Sequence, residues 1–176
     1  MITLVEPSAP LHDAWLASMR EFEGAVLHGY STFGFEVDEL AEPAGFERWL
    51  ERERLQNRRA LDGFVPATAW WIVDDAEPGR VLGSIHLRHE LNDWLLAEGG
   101  HIGYGVRPSA RGRGVATAAL RLVLDRARAM GIERVLICCE DNAASRATNL
   151  GAGGELEDVR VGEDGGRVER YWIDLR

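Results

Sequence analysis

Val106-Arg-Pro-Ser-Ala-Arg-Gly-Arg-Gly-Val-Ala-Thr-Ala-Ala-Leu120 decides how this chain reads. The apolar run Ile102 to Val106 is closed by Arg107 and Pro108. Beyond the glycines, Ala116, Leu120, Val123, Ala127 and Met130 recur at helical spacing. The pattern predicts a strand, a tight turn and a helix over 114–130, which Gly131 ends. Gly112 and Gly114 let the backbone turn sharply and leave no Cβ between it and a ligand. The first turn of a helix carries unpaired N–H groups and partial positive charge. Arg111 and Arg113 add full charges beside them. The backbone of Gly112, Arg113, Gly114, Val115 and Ala116 therefore suits a pyrophosphate. No Gly-Lys-Ser/Thr follows, which excludes a P-loop. Gly103-Tyr-Gly105 runs on into Val-Arg-Pro, which breaks the dinucleotide fingerprint.

Upstream, Ile2 to Val5 reads as a strand and Pro10 to Glu23 as a helix with apolar Leu11, Ala14, Trp15 and Phe22. Residues 24–43 read as an aromatic loop punctuated by Gly24, Gly29 and Gly34. Ala44 to Arg59 reads as a charged helix whose Glu and Arg residues form a solvated, ion-paired face. Ala69 to Val73 and Val81 to Leu87 form a hairpin about the turn Asp74 to Gly79. Leu91 to Gly99 connects to the strand His101 to Val106. Downstream come a strand at Val135 to Cys139, a short helix at Ala143 to Leu150, and strands at Glu155 to Val161 and Val168 to Asp174. Trp70, Trp71 and Trp172 fall in strands and are expected in the core, whereas Trp94 precedes the central strand and is placed to line a pocket.

The 176 residues suffice for a single domain spanning 1–176 with a good core. No run of about 18 apolar residues exists to span a membrane, and the acidic, proline-containing start is no secretory signal. A net charge of -9 argues against a nucleic-acid partner and favours a cationic acceptor such as an amine. Cys138 and Cys139 are neighbours, so they form neither a disulfide framework nor a metal set. No metal is expected. One thiol should face the core, and free thiols fit a reducing cytoplasm.

Arg111, Gly114 and Ala116 fill the defined positions of an Arg/Gln-x-x-Gly-x-Gly/Ala signature, and in this the chain resembles the GNAT N-acetyltransferase superfamily. Asn142-Ala-Ala-Ser145 after the next strand extends the likeness. Phe64 to Trp172 is similar to a group of bacterial acetyltransferases through Arg88-His-Glu-Leu-Asn92, Gly99 to Pro108 and Arg170-Tyr-Trp-Ile173. The element order β-α-α-β-β-β-α-β-α-β-β is that of the GNAT fold. This is an α/β class with a mixed, mostly antiparallel sheet, splayed at its central strands and covered by helices on both faces. The resemblance implies acetyl-CoA as co-substrate, held by Val106 and the Arg111 to Ala116 loop, with Asn142 and Ser145 beside the pantetheine arm. Asn142 equally reads as a helix N-cap, and Ser145 as a first-turn residue. Pro108, lacking an N–H, limits ladder pairing and leaves an edge near Tyr104 to Val106. The superfamily often dimerises, which makes a second copy a candidate partner.

The implied reaction is direct transfer to an amine, with a longer acyl-CoA or a CoA sensor without turnover as alternatives. Deprotonating an alkyl ammonium of pKa about 10.4 at pH 7 costs about 4.6 kcal/mol, while a thiol of pKa about 8.5 leaves readily. A base should therefore matter more than an acid. The family's usual glutamate position holds Gly100 here, and its usual tyrosine position holds Asn149. The candidates left are His101 as base and Tyr104 as acid, with Glu98, His86, His89, Glu90 and Tyr171 also within reach of the site. Tyr30, Phe33 and Asp38 are expected to shape the acceptor side.

Overall fold

The computed structural model describes residues 1–61, 63–140 and 142–176. In chain order its elements are β1 (Ile2–Val5), α1 (His12–Arg20), α2 (Val37–Ala41), α3 (Pro43–Gln56), β2 (Ala67–Asp74), β3 (Glu77–Arg88), β4 (Ile102–Val106), α4 (Val115–Ala129), β5 (Arg134–Glu140), α5 (Ala143–Gly151), β6 (Glu155–Val161) and β7 (Arg167–Asp174). They build two antiparallel sheets, ordered β1-β2-β3-β4 and β5-β7-β6. The expected single sheet is thus two halves that meet along β4 and β5. Among the described residues no helix is long and apolar enough to cross a membrane.

The first half-sheet is covered on both faces, so β2 and β3 read as continuous apolar runs rather than alternating ones. Trp70, Ile72, Ile85 and Leu87 face α4, joined there by Ile102, Val106, Leu120 and Val123. Trp71, Val73 and Val81 face α1 and α3. There Trp15 stacks on Trp49 at 4.4 Å and on Trp71 at 5.3 Å between ring centroids. Each such aromatic pair adds about 0.5–1.5 kcal/mol beyond its buried area. This stack clamps the N-terminal helices onto the sheet and so fixes the loop between α1 and α2.

Several expectations change. The segment 24–43 is not all loop, because Val37–Ala41 forms α2, packed through buried Leu40. The hairpin turn is tighter than predicted, with Asp74 opposite Glu77, so β3 includes Pro78 and Gly79. Helix α3 ends at Gln56, and its Glu53 and Gln56 are buried rather than solvated. Trp172 is half-buried. Its Nε1 donates to Glu157 Oε2 (2.8 Å), and the Arg134 guanidinium lies 4.0 Å over its ring. Cys138 and Cys139 are both half-buried, so neither is a pure core thiol. Burial pushes the Cys138 thiol up to about 12.

Candidate active site

The seam between the half-sheets follows from hydrogen-bond parity. Arg88 N–H donates to His101 O (2.7 Å) and Arg107 N–H to Leu82 O (2.9 Å). Between them, His86 pairs with Gly103 and Ser84 with Gly105. In an antiparallel ladder bonded and unbonded pairs alternate. Gly103 and Gly105 therefore spend their backbone groups on β3, while Ile102, Tyr104 and Val106 turn theirs outward. On the other side, Leu175 N–H donates to Glu133 O (2.8 Å), and Val135, Ile137 and Cys139 lie opposite Ile173, Tyr171 and Glu169. Leu136 and Cys138 consequently turn their backbone groups toward β4.

The two edges touch at one end only. His101 N–H donates to Leu136 O (2.7 Å), and Leu136 N–H donates to His101 Nδ1 (2.9 Å). Gly100 (φ +64°) makes this approach possible, since a Cβ there would lie 2.7 Å from Leu136 O. The glycine in place of the family's glutamate thus has a steric cause. Beyond Leu136 the strands part. The amides of Tyr104 and Val106 and the backbone of Cys138 find no backbone partner among the described residues.

At the open end of the seam sits the glycine turn. Gly112 (φ +70°) and Gly114 (φ +75°) are left-handed, with nothing within 4 Å of where a Cβ would stand. Gly114 caps α4, and the amides of Gly112 to Thr117 find no backbone partner among the described residues. Val115 is buried and Ala116 half-buried beneath them, so the cradle rests on the core. Arg113 is exposed. Arg111 is tied down: its Nε donates to Val106 O (3.0 Å) and its guanidinium lies 5.3 Å over the Phe22 ring. Arg107 is buried against Glu21, with Nε at 2.8 Å from Oε1, and Ser109 N–H donates to Glu21 Oε2 (3.0 Å). That pairing holds the Glu21 carboxyl down at about 2 and anchors the strand-to-turn corner.

Asn142 caps α5, its Oδ1 accepting from Ala144 and Ser145 N–H (both 3.0 Å). Its Nδ2 has no hydrogen-bond partner among the described residues. Ser145 is half-buried and gives its carbonyl to the Tyr104 hydroxyl (3.3 Å). The Tyr104 hydroxyl also donates to Asn149 Oδ1 (2.9 Å). So the residue on β4 reaches the helix position where the resemblance places a tyrosine.

The opposite face of β4 is roofed by the N-terminal loop. Gly103 and Gly105 lie flat beneath it. A Cβ on Gly105 would run into His28 O, and one on Gly29 (φ +80°) would run into Tyr104 Cα. Beside this crossing opens a cavity of about 250 Å³. Phe33, Arg52, His86, Arg88 and Trp94 are among its lining. Trp94 lines it as expected, and so does Phe33. Tyr30 instead is fully buried, its hydroxyl donating to Ser18 Oγ (3.1 Å), and Asp38 sits in the first turn of α2 away from the lining.

The remaining titratable candidates sort by their contacts. His101 spends Nδ1 on the seam, and burial, then the Arg88 charge, brings it down to about 4. A neutral imidazole whose Nδ1 accepts carries its hydrogen on Nε2, which leaves no free lone pair for a base. His86 is buried with both ring nitrogens unpartnered among the described residues. The Gly29 backbone comes near enough to favour its cation slightly, but burial keeps it neutral. Burial pushes Tyr104 up to about 12. Tyr171 donates to Glu169 Oε2 (2.7 Å), Glu98 accepts from Glu163 N–H (3.0 Å), and His89 bonds Thr68 (2.9 Å). Those three serve other parts of the fold. Glu90 is exposed and outside the cavity lining. Sequence reading left His86 and Arg88 in the background. Strand alternation puts both on the loop-covered face of β3, but the cavity there forms only when α3 and residues 28–33 close over it.

A family model described as an acetyltransferase (GNAT) domain matches residues 11–153. The chain belongs to the GNAT acetyltransferase family. No curated protein matches its sequence. Solved structures share the fold. RimJ of Mycobacterium smegmatis, in complex with CoA-disulfide, has a TM-score of 0.75 and 20% identity, over 98% of this chain and 81% of its own. An N-acetyltransferase from Staphylococcus aureus Mu50 has a TM-score of 0.68 and 18% identity, over 100% and 99%. YncA of Salmonella typhimurium with its cofactor acetyl-CoA has a TM-score of 0.61 and 18% identity, over 99% and 94%. This GNAT enzyme accordingly pairs a splayed sheet with a glycine turn of open amides at the N-terminus of α4.

Proposed function

We propose that the enzyme transfers an acetyl group from acetyl-CoA directly to the nitrogen of an amine acceptor at the β4–β5 seam. The observation that carries this reading is the pair of outward amides of Tyr104 and Val106, without a backbone partner among the described residues, on an edge that runs into the open Gly112–Gly114 turn. The cradle amides and Arg113 suit a diphosphate. The Tyr104–Val106 edge suits a chain of amides, as a sheet edge takes a strand. Asn142 and Ser145, at the start of α5, would lie beside that arm. Acetyl-CoA supplies a thioester, whose sulfur is the leaving group.

The acceptor nitrogen attacks the thioester carbon. A C–N bond forms, the C–S bond breaks, and the nitrogen gives up one proton to solvent. A backbone N–H of the free β4 edge can hold the carbonyl oxygen as charge develops on it. Tyr104 can hydrogen-bond the departing thiolate but not protonate it. Moving a proton from a phenol near 12 to a thiolate near 8.5 runs uphill by about 5 kcal/mol. His101 near 4 is likewise too weak to strip an alkyl ammonium. The acceptor therefore reacts from its neutral form, which the positive lining of the cavity favours. The free thiols fit the reducing cytoplasm, where acetyl-CoA is made available.

Thiol release from acetyl-CoA, measured over an amine panel with the product checked by mass, tests the reading. Amine-dependent thiol release supports it. Binding of acetyl-CoA with no acetylated product from any amine would make the chain a CoA-binding module instead. Faster transfer from a longer acyl-CoA would make it a different acyltransferase.

A further inference from the structure

Arg88 is a largely buried cation without a carboxylate. It appears in no ion pair among the described residues. Its Nη1 donates to Gly99 O (2.7 Å) and Gly100 O (3.0 Å), which occupy one corner of the guanidinium. Nε and Nη2 have no partner among the described residues. The side chain lines the 250 Å³ cavity, and no described Asp or Glu joins it there. The other cation in the lining, Arg52, is already engaged by Glu53 and by the carbonyls of Ser31 and Phe33. Glu53 in turn is held by Arg52 and Ser31 (3.0 Å each). Both neighbouring histidines, His86 and His101, are neutral at pH 7. In a protein of net charge -9, this one cavity is positive.

A buried charge is tolerated when it is paired and hydrogen-bonded. The open Nε–Nη2 edge of a guanidinium is the fork that takes a carboxylate through two parallel bonds. We infer that the acceptor is a small amino acid or dipeptide, an amine that also carries a carboxylate, and that Arg88 takes the carboxylate in this cavity. The inference rests on the transferase reading above and adds the acceptor's chemical class. The volume lies below that of sites for drug-sized ligands, which suits a small molecule. Phe33, Phe64 and Trp94 supply apolar walls around the carbon chain.

The test uses glycine, β-alanine, 4-aminobutyrate, 6-aminohexanoate and glycylglycine, each against its own carboxamide, in the thiol-release assay. At least one acid should exceed its amide tenfold or more in kcat/KM. Arg88→Gln should bring that ratio to about one, and Arg88→Lys should leave it between. Since Arg88 also braces Gly99 and Gly100, circular dichroism of each variant is compared with wild type, and the wild-type acid-to-amide ratio stands without any variant. Calorimetry with the N-acetylated acid and N-acetylated amide supplies a readout free of turnover, in which the acid should bind at least tenfold tighter. If amides are acetylated as well as acids, or if Arg88→Gln slows both equally, the carboxylate subsite is wrong and the transferase reading stands. If nothing is acetylated while the N-acetylated acid still binds selectively, the transferase reading fails and the subsite stands. Equal binding of the two products would overturn it.

Discussion

Gly105→Ala isolates the crossing of the N-terminal loop over β4. Gly105 has an ordinary negative φ, so alanine adds no backbone strain. Its Cβ would enter the van der Waals shell of His28 O and stand 3.3 Å from Tyr30 Cε2. Tyr30 is fully buried and bonded to Ser18, so the ring cannot give way. The carbonyl must retreat by roughly 1 Å to regain normal contact. Overpacking of this kind costs about 1–3 kcal/mol. At about 2 kcal/mol the melting temperature should fall by about 4–8 °C in a chain of this size. The loop roofs the acceptor face and not the phosphate cradle, so the acceptor KM should rise by about tenfold while the acetyl-CoA KM moves little. Gly112→Ala is the control. It meets no atom and incurs only the left-handed strain at φ +70°, about 1 kcal/mol. Differential scanning calorimetry and two-substrate kinetics read both. Wild-type stability and an unchanged acceptor KM for Gly105→Ala would refute the roofed-strand account.

Tyr104→Phe leaves the buried Asn149 Oδ1 without its donor, beside an Nδ2 that already lacks a partner among the described residues. Denaturant titration should show a loss of about 1–3 kcal/mol, while kcat falls less than tenfold, under about 1.4 kcal/mol of barrier. A hundredfold loss of kcat would restore Tyr104 as the acid. His101 should shape stability against pH. Burial first, then Arg88, lowers it from 6.5 to about 4, so between those values the unfolded chain binds the extra proton. Its contribution is complete above about pH 6.5 and is lost as pH falls to about 4, amounting to about 3 kcal/mol. His101→Asn, which keeps an acceptor for Leu136 N–H, should flatten that limb of the curve. His86 titrates in the same direction, so the difference between the two proteins is the quantity to read.

Much of the architecture was legible because local signals carried it. The period of Ala116 to Met130 and the punctuation by Gly112, Gly114 and Gly131 place α4 within a residue at each end. The open edge of β4 follows from the alternation of its ladder bonds with β3, which only the paired strands reveal. What could not be read depends on residues far apart in the chain. Helix α2 is five residues long, too short for a periodic signal, and is held by packing of Leu40. Glu53 and Gln56 look like solvent-facing residues of a charged helix, yet the loop at 31–33 and the segment near Val65 bury them. His101 resembles a base on a central strand, but its partner Leu136 lies across the seam. Arg88 is one arginine among many until Gly99, Gly100 and the cavity surround it. The glycines of β4 break the dinucleotide fingerprint in the sequence, but nothing local says what they are for. Gly103 and Gly105 make room for His86 and residues 28–30, whereas Gly112 and Gly114 face open space.

The central claim is that acetyl-CoA lies with its diphosphate on the Gly112–Ala116 backbone and its arm along β4. Calorimetric titration of acetyl-CoA into wild type, Gly114→Asn and Gly114→Asp tests it most directly. Gly114 is left-handed at φ +75°, a conformation that asparagine and aspartate both tolerate, and both residues are good helix N-caps. The two variants therefore fold alike and differ by one charge at the cradle. Gly114→Asn should bind within a few-fold of wild type, and Gly114→Asp should lose at least tenfold, with the loss shrinking as salt is raised. Equal affinity of the two folded variants would contradict the account, because the diphosphate would then lie elsewhere.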